Sequence, residues 1–345
     1  ADPGAVGCRA PGVFVEEGVT VSADTAAERA RVADRYRWLA SSYARGGSPD
    51  YERIALGVAR DARTQDLVLS LPEGNNRQPN LLLGAVRYLG GPTGTWEGFR
   101  VWVEEHWERV RGVVMARMTQ TNEVRRCATL LPVLARLEGP LALVEVGASA
   151  GLCLYPDRYR YSYDGGAPLG PRESPVLLEC RTSGGVPLPG RVPHVVWRAG
   201  LDLNPLDAAD EGDARWLESL VWPGEHRRER VERLRAAASV VAADPPVMVA
   251  GNLVEALPEL AARAPEGATL VVFHSAVAAY LSEGGRADLE RLMGGLPGHW
   301  VSNEGWRVFP DWEGARPPVE NDFTLAVDGR VVAYTGEHGQ SLTWR

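Results

Sequence analysis

The sequence predicts an α/β protein in which an all-helical region precedes a mainly parallel sheet. Three observations support this prediction. Between residues 24 and 137, apolar side chains recur every three or four positions, as they do in amphipathic helices. After Gly139-Pro140, short apolar runs alternate with helical patterns. Near the end of the chain, two apolar runs flank Asp328-Gly329-Arg330, which is typical of a hairpin.

The element boundaries follow from helix-start residues and from apolar runs. Helices are expected to begin at Ser22 or Asp24, Ser48-Pro49, Pro79, Trp96 and Thr121-Asn122-Glu123, the last one running to about Leu137. Strands are expected at 141–146, 195–201, 247–250, 269–273, 300–302, 323–327 and 331–335. Helices fit between them near 213–221, 225–243, 253–264 and 285–294.

Three regions are therefore expected along the chain. Residues 1–22 form a flexible tail, residues 23–138 a helical cap region, and residues 139–345 an α/β domain. An insertion is expected within that domain at about 165–194.

All basic residues are arginines, because the 345-residue chain has 37 basic side chains and no lysine. This excludes chemistry that needs a lysine amine, such as Schiff-base catalysis or the lysine of a phosphate-binding P-loop. The net charge of −8 and the pI near 5.4 argue against a nucleic-acid partner, because phosphate backbones bind to basic surfaces. A small molecule is the expected partner, and the sequence carries no indication of the oligomeric state.

Cysteine usage and hydropathy indicate a cytoplasmic protein. The four cysteines have no C-x-x-C spacing and no histidine at ligand spacing, so no metal site is expected. Few cysteines in a large chain are typical of a reducing compartment. No apolar run approaches the roughly 18 residues of a membrane span, and the first residues do not look like a secretory signal.

The most informative segment is the turn Gly147-Ala148-Ser149-Ala150-Gly151, which follows the first predicted strand. Small residues allow a ligand to approach the backbone closely. A helix is expected to begin after the turn and to offer unpaired N–H groups. Because ligands of open α/β sheets lie at the carboxyl edge of the strands, the turn predicts a site for a nucleotide-like ligand.

Several phrases of the sequence, in order, resemble the Rossmann-like S-adenosylmethionine-dependent methyltransferases. They are Glu145-Val146-Gly147-Ala148-Ser149-Ala150-Gly151, Gly200-Leu201-Asp202-Leu203-Asn204-Pro205, Gly251-Asn252-Leu253-Val254-Glu255 and Val271-Val272-Phe273-His274-Ser275. The resemblance implies a methyltransferase-type sheet that ends in an antiparallel hairpin. It also implies S-adenosylmethionine as cofactor and methyl transfer to a small molecule as activity.

The resemblance also assigns roles to individual residues. Cofactor-binding residues would be Glu145, Gly147, Ala148, Ser149, Gly151, Asn252 and Leu253. The acid that holds the ribose hydroxyls would be either Asp202, 55 residues after Gly147, or Asp164, 17 residues after it. In related nucleotide folds this acid follows the glycine turn by about 20 residues, so both positions stay open.

Residues near the predicted cofactor site are candidates for catalysis and substrate binding. His274 would act as a general base, because an imidazole ionises near neutral pH, and Tyr280 would orient the substrate. Asn122, Glu123 and Arg126 lead directly into the first strand and are candidate substrate-binding residues, as is Asn80.

Most of the chain also resembles a narrower, mostly actinobacterial family of uncharacterised proteins, the domain of unknown function 2332. The phrases that carry this resemblance are Arg77-Gln78-Pro79-Asn80, Gln120-Thr121-Asn122-Glu123, Asp202-Leu203-Asn204-Pro205, Phe273-His274-Ser275 and Ser302-Asn303-Glu304-Gly305. The resemblance implies no activity of its own.

Two other functions are compatible with the same turn. Gly147-Ala148-Ser149-Ala150-Gly151 is also G-x-S-x-G, the nucleophile elbow of α/β-hydrolases, with Ser149 as nucleophile. The acid would then be Asp202 or Asp244, and the base His274, His299 or His338. Alternatively, the protein would bind the nucleotide or S-adenosylmethionine without catalysing a reaction.

Overall fold

The computed structural model describes residues 23–120 and 122–345. Ser22, Thr121 and the tail predicted for residues 1–22 lie outside these residues. The architecture is α/β, with a helical N-terminal region followed by a mostly parallel sheet that has antiparallel C-terminal strands. In the described part of the chain, no helix is both long and apolar enough to cross a membrane.

Four of the N-terminal helices begin where the sequence provides a cap or a proline. Asp61 accepts a hydrogen bond from the Thr64 N–H at 2.7 Å, and Thr95 accepts one from the Gly98 N–H at 3.2 Å. Pro49 and Pro79 each occupy the first helical position, as predicted. The helices α1 to α6 cover Ala23–Arg45, Pro49–Val58, Ala62–Leu69, Pro79–Tyr88, Trp96–Ala116 and Arg126–Leu134.

The α/β part of the described chain contains a ten-stranded sheet. Strands β1 to β10 cover Leu141–Val146, Arg160–Tyr163, Leu177–Ser183, Val195–Asp202, Val247–Ala250, Thr269–Ser275, His299–Gly305, Phe323–Val327, Arg330–Thr335 and Ser341–Trp344. Helices α7 to α10 cover Glu211–Leu220, Arg227–Ala243, Leu253–Ala261 and Glu283–Gly295.

The strand order places a topological switch point beside β1. The parallel strands lie in the order β5-β4-β1-β6-β7, so the chain moves outward in one direction from β1 to β5 and in the other from β6 to β7. Strands β8 and β9 then add the antiparallel hairpin predicted from the sequence. Ligands of such sheets bind at the carboxyl ends of the strands near the switch point.

The far edge of the sheet differs from the prediction. β2 and β3 pair in parallel with each other, and β3 pairs with β10, so the segment predicted as an insertion contributes a strand to the main sheet. The pairing directions make β2 run antiparallel to β1. Asp164, which follows β2, therefore lies at the opposite edge of the sheet from the turn at residues 147–151.

Helices cover both faces of the sheet. Leu143 and Phe273 pack with the N-terminal helices and with α8 on one face, whereas Val144 and Val272 pack with α9 and α10 on the other. This alternation along β1 and β6 is the period of two that a strand imposes on its side chains. The N-terminal helical region is thus one of the two layers that sandwich the sheet.

The helix predicted to begin at Thr121-Asn122-Glu123 begins later, at Arg126. The Asn122 amide donates to the Ala148 carbonyl, outside the helix. The Glu123 carboxylate pairs with arginines of α8 and also accepts the N–H of Arg125 just before the helix. The segment between α5 and α6 is thereby held across the carboxyl edge of the sheet.

Candidate functional site

A cavity of about 230 Å³ lies at the carboxyl ends of β1, β4, β5 and β6. The sheet side of its wall includes Gly147, Ser149, Asp202, Asn252, Leu253 and Tyr280, all of which the sequence predicts as site residues. Met118, Thr119 and Gln120 from the α5–α6 segment form the opposite wall. The cavity therefore lies between the sheet edge and the N-terminal helical region.

The turn after β1 differs from the prediction in one respect that matters for ligand chemistry. It is followed by a short 3₁₀ turn, Leu152–Leu154, instead of an α-helix. The Gly147 and Ala148 N–H groups both donate to the Leu201 carbonyl, at 2.7 and 3.2 Å. The predicted helix N-terminus is absent from this described segment, and the N–H groups at its start are used to join β1 to β4.

Asp202 ends β4 and links three segments around the cavity. Its Oδ2 accepts the Ser149 N–H at 2.8 Å, and its Oδ1 accepts the Asn204 N–H at 2.8 Å and the Gln120 side-chain amide at 3.2 Å. A carboxylate has about four lone-pair sites, so these three bonds leave one for a ligand.

Asn252 follows β5 and caps α9 at the next position along the cavity wall. Its Oδ1 accepts the Val254 N–H at 2.9 Å, and its amide nitrogen remains as a donor. The Leu253 N–H is the first of the helix and has no intrahelical acceptor. The cavity wall thus combines donors at Asn252 and Leu253 with an acceptor at Asp202.

Two residues in the cavity wall have a left-handed backbone although neither is glycine. Ser149 has φ +53° and Ala276 has φ +59°. Such conformations are costly for residues with a Cβ, and they cluster at ligand-binding sites. They occur in the turns after β1 and β6, on the two sides of the switch point.

The loop after β6 closes against the turn after β1. Val277 lies so close to Gly147 that a Cβ added to this glycine would be 2.3 Å from Val277 Cγ2. Tyr280 follows at the mouth of the cavity and is 57% exposed. The glycine is therefore required by contact with protein, in addition to its φ of +70°.

His274 does not reach the cavity. Its ring is wholly buried, and its Nε2 accepts a hydrogen bond from Trp300 Nε1 at 3.0 Å. The ring proton is therefore on Nδ1, which donates to Glu304 Oε1 at 2.6 Å. Glu304 Oε1 also accepts the N–H groups of Val277 and Ala278. The general-base role predicted for His274 does not fit this geometry, because the ring supports the loop after β6 from the opposite face.

Of the predicted substrate-binding residues, Arg126 alone reaches the cavity wall. Asn122 is 8% exposed and donates to the Ala148 carbonyl at 2.9 Å. Glu123 pairs with α8, and Asn80 accepts the Tyr43 hydroxyl at 2.6 Å within the helical region. These three residues support the walls of the cavity without lining it.

The remaining predicted residues also lie away from the cavity. Glu145 points into the core, where burial, with further contributions from Cys153 and Asp202, raises its pKa well above the usual range. Ala148 and Gly151 lie behind the cavity wall and are joined by a hydrogen bond from the Gly151 N–H to the Ala148 carbonyl. Asp164 accepts hydrogen bonds from the Thr182 N–H and hydroxyl. Asp202, not Asp164, is the acid at the glycine turn.

The profile of a family described as "Uncharacterized protein conserved in bacteria (DUF2332)" matches residues 33–344. The chain belongs to this family. Neither a curated protein nor a solved structure matches it.

The structure of this DUF2332 protein adds Gln120 to the residues predicted from the sequence. Its Oε1 and the Oγ of Ser149 are buried and have no hydrogen-bond partner among the described residues. Gln120 donates its amide nitrogen to Asp202 and to the Asn204 carbonyl, and its side chain lines the cavity although Oε1 itself is enclosed by protein. Its place at the start of the family phrase Gln120-Thr121-Asn122-Glu123 was the available signal.

The nucleophile elbow suggested by Ser149 lacks a base in this DUF2332 structure. Within the described part of the chain, the Ser149 hydroxyl has no hydrogen-bond partner, and none of the cavity-lining residues is a histidine. His299 bonds to Asp328 and His338 lies beside Glu337, both away from the cavity. The described residues also contain no group of three or more potential metal ligands.

Proposed function

We propose that this protein binds S-adenosylmethionine in the cavity and transfers its methyl group to a small molecule. When bound, the cofactor would supply a methyl group on a sulfonium, which an in-line nucleophile attacks, leaving S-adenosylhomocysteine. The observation that carries the proposal is the adjacency of three features on neighbouring strands: the turn at Gly147, the carboxylate of Asp202 and the amide of Asn252.

The polar groups of the cavity fit a nucleoside. The acceptor site that remains on Asp202 suits a ribose hydroxyl. On the next strand, the Asn252 amide nitrogen and the Leu253 N–H are donors suited to the ring nitrogens of adenine.

A ligand without phosphate groups fits this cavity better than a nucleotide. Phosphates bind to clustered backbone N–H groups at a helix N-terminus or to basic side chains. Here the N–H groups of Gly147, Ala148 and Ser149 are used within the protein, and an acid lies beside them. The turn itself therefore offers no phosphate site, which favours an adenosyl sulfonium over a dinucleotide whose pyrophosphate would lie there. Arg126 and the start of α9 are the groups of the cavity wall that remain for an anion.

Catalysis would depend on alignment of the two reactants. His274 is buried, and both of its ring nitrogens are hydrogen-bonded within the protein, so it is not available as a base. The protein's contribution would be to hold the acceptor atom in line with the methyl–sulfur bond and to exclude water. An acceptor atom that carries a proton would lose it to solvent at the mouth, where Tyr280 is exposed.

Isothermal titration calorimetry with S-adenosylhomocysteine and ATP tests the proposal. We expect binding of the S-adenosyl ligand at concentrations up to about 1 mM and much weaker binding of ATP. Asp202→Asn should weaken binding about tenfold, whereas Asp164→Asn, at the opposite edge of the sheet, should leave it unchanged. Absence of binding by the folded wild type, or an equal effect of both variants, would overturn the proposal.

Transfer itself is tested with S-adenosylmethionine carrying a radiolabelled methyl group and an extract of bacterial small molecules. Label in a small-molecule product that depends on the folded protein supports methyl transfer. Binding without any labelled product over a broad acceptor panel would contradict the catalytic part and leave a cofactor-binding protein.

A further inference from the structure

Arg126 is a buried cation that lines the cavity. It is 6% exposed, and its Nε and Nη1 donate to the backbone carbonyls of Glu337 and Ser275 at 3.0 and 3.1 Å. Among the described residues, no carboxylate forms an ion pair with it, whereas the similarly buried Arg233 pairs with Glu123 and Glu229. A guanidinium has five N–H donors, so Arg126 retains donors for a ligand.

None of the acids around Arg126 forms an ion pair with it. The Glu337 carboxylate lies 3.4 Å from His338 Nδ1, and Glu304 Oε1 accepts three hydrogen bonds from the His274 ring and the loop after β6. Burial raises the pKa of Glu145 well above its usual range, which disfavours its charged form. No carboxylate of the described residues therefore lies within ion-pair distance of the Arg126 guanidinium, although Arg126 helps to lower the pKa of Glu337 from further away. A buried charge without a close partner is unfavourable.

The position of Arg126 separates it from the proposed nucleoside contacts. It is held by the end of β6 and by the turn between β9 and β10, whereas Asp202 and Asn252 follow β4 and β5 on the other side of β1. Tyr280 and Leu203, which are 57% and 60% exposed, provide apolar surface in the same cavity. The cavity thus combines one buried cation with an apolar rim.

We infer that Arg126 is the anchor for a carboxylate group of the molecule that enters this cavity. The cavity offers one arginine and no lysine, and the N–H groups of the turn at residues 147–151 are already bonded. A single guanidinium matches a planar monoanion better than a phosphate. The inference deepens the proposed function and rests on it only for the identity of the nucleoside ligand. The carboxylate could belong to the amino-acid part of the cofactor or to an acceptor with an apolar body.

Two matched pairs of probes distinguish these sources. S-Adenosylhomocysteine and 5′-methylthioadenosine share the nucleoside thioether, but the second lacks the amino-acid carboxylate. Phenylacetate and phenylacetamide share shape and apolar surface, but the second lacks the charge. Binding of each probe is measured by calorimetry, and the second pair is also measured in the presence of S-adenosylhomocysteine.

We expect the wild type to prefer the carboxylate member of at least one pair by on the order of 10- to 100-fold. Arg126→Gln should abolish this preference without weakening the uncharged member of the pair. Arg125→Gln is the matched control, because this neighbouring arginine donates to the His338 carbonyl and lies outside the cavity wall. It should keep the wild-type preference.

Arg126→Lys provides a second test if Arg126→Gln does not fold. Lysine keeps the charge but cannot form the two parallel hydrogen bonds that a guanidinium makes to a carboxylate. The preference for the carboxylate probe should therefore lie between those of the wild type and of a variant without the charge, while the protein stays folded. A wild type that binds both members of each pair equally, or a folded Arg126 variant that retains the full preference, would overturn the inference.

The test separates this inference from the proposed function. If neither nucleoside binds but the protein prefers phenylacetate through Arg126, the proposed cofactor is wrong and the carboxylate site stands. If both nucleosides bind equally and neither phenyl probe depends on charge, the cofactor proposal stands and the carboxylate site is wrong.

Discussion

The backbone N–H of Ser149 donates at 2.8 Å to the carboxylate of Asp202, which lies 53 residues further along the chain, and so joins the turn after β1 to the end of β4. The same carboxylate holds Asn204 and Gln120. The shape of the cavity wall therefore depends on a single acid, and the groups available to a ligand are those that remain after these bonds form.

Replacement of Asp202 by alanine should destabilise the protein. Three hydrogen bonds would lose their acceptor, and we expect the free energy of unfolding to fall by about 2–3 kcal/mol in urea denaturation. Asp207→Ala is the matched control, because Asp207 accepts only the Ala209 N–H in an exposed loop. It should change stability by less than about 1 kcal/mol. Equal losses of unfolding free energy in the two variants would show that the Asp202 carboxylate does not stabilise the turn after β1.

The contact between Gly147 and Val277 predicts a coupled pair. Gly147→Ala adds a Cβ at 2.3 Å from Val277 Cγ2 and places it on a backbone with φ +70°, so we expect a loss of about 2–4 kcal/mol. Val277→Ala in the same chain should restore the part of the unfolding free energy that Gly147→Ala loses through the contact. It should not restore the part lost through backbone strain.

This pair is measured as a double-mutant cycle in urea. Strict additivity of the two substitutions would contradict the packing of the β6 loop against the turn. Gly139→Ala offers a comparison, because it has a similar φ of +78° but its nearest neighbour would lie at 3.4 Å, so only the strain contribution should appear.

Glu123 should make stability depend on pH in the acidic range. Burial by itself would raise its pKa, but the charges of Arg233 and Arg230 outweigh this effect and lower the pKa to about 2. Because the pKa is lower in the folded state than its ordinary value of 4.5, the stabilisation is complete above about pH 4.5 and is lost as the pH falls toward 2.

At neutral pH, Glu123→Gln should lower the free energy of unfolding by about 3–5 kcal/mol, because two buried guanidinium groups lose their partner. The difference between wild type and variant should begin to narrow below about pH 4.5. Glu229→Gln removes an exposed partner of the same Arg233 and should cost less than about 1 kcal/mol at any pH. A pH-independent difference for Glu123→Gln would refute the assignment.

The parts of the fold that follow from local sequence were predicted. β1 and β5 have the predicted bounds because buried parallel strands are continuous apolar runs. β3 was missed because only two of its seven residues are buried, so it has no continuous apolar run, and because β10 pairs with it across about 160 residues of chain. Pairing at that distance leaves no local pattern.

Some residues of the candidate site could also be predicted from the sequence, and others could not. Asp202 and Asn252 could be placed because parallel strands bring their carboxyl ends to one edge. His274 was misplaced by one residue: alternation along β6 puts Ser275 at the cavity and turns His274 to the opposite face. Gln120 could not be placed, because its position depends on bonds to β4 that are distant in sequence.

The ring of His274 should be a neutral imidazole with its proton on Nδ1. Trp300 Nε1 donates to Nε2 at 3.0 Å, which an imidazolium cannot accept, and Nδ1 donates to Glu304 at 2.6 Å. ¹⁵N NMR at neutral pH should therefore show one protonated and one unprotonated ring nitrogen, with the proton on Nδ1. A ring with both nitrogens protonated, or with the proton on Nε2, would contradict these bonds.

His274→Gln tests the supporting role of the same ring. The substitution leaves the Trp300 N–H or one oxygen of Glu304 without its partner in the core, and we expect a loss of about 2–4 kcal/mol in urea denaturation. His299→Gln is the matched control, because His299 bonds to Asp328 at the surface and should lose less than about 1 kcal/mol. Because the ring supports the loop after β6 and does not face the cavity, the pH profile of methyl transfer per folded molecule should keep its shape in His274→Gln. Loss of an ionisation from that profile would instead return His274 to the role of base.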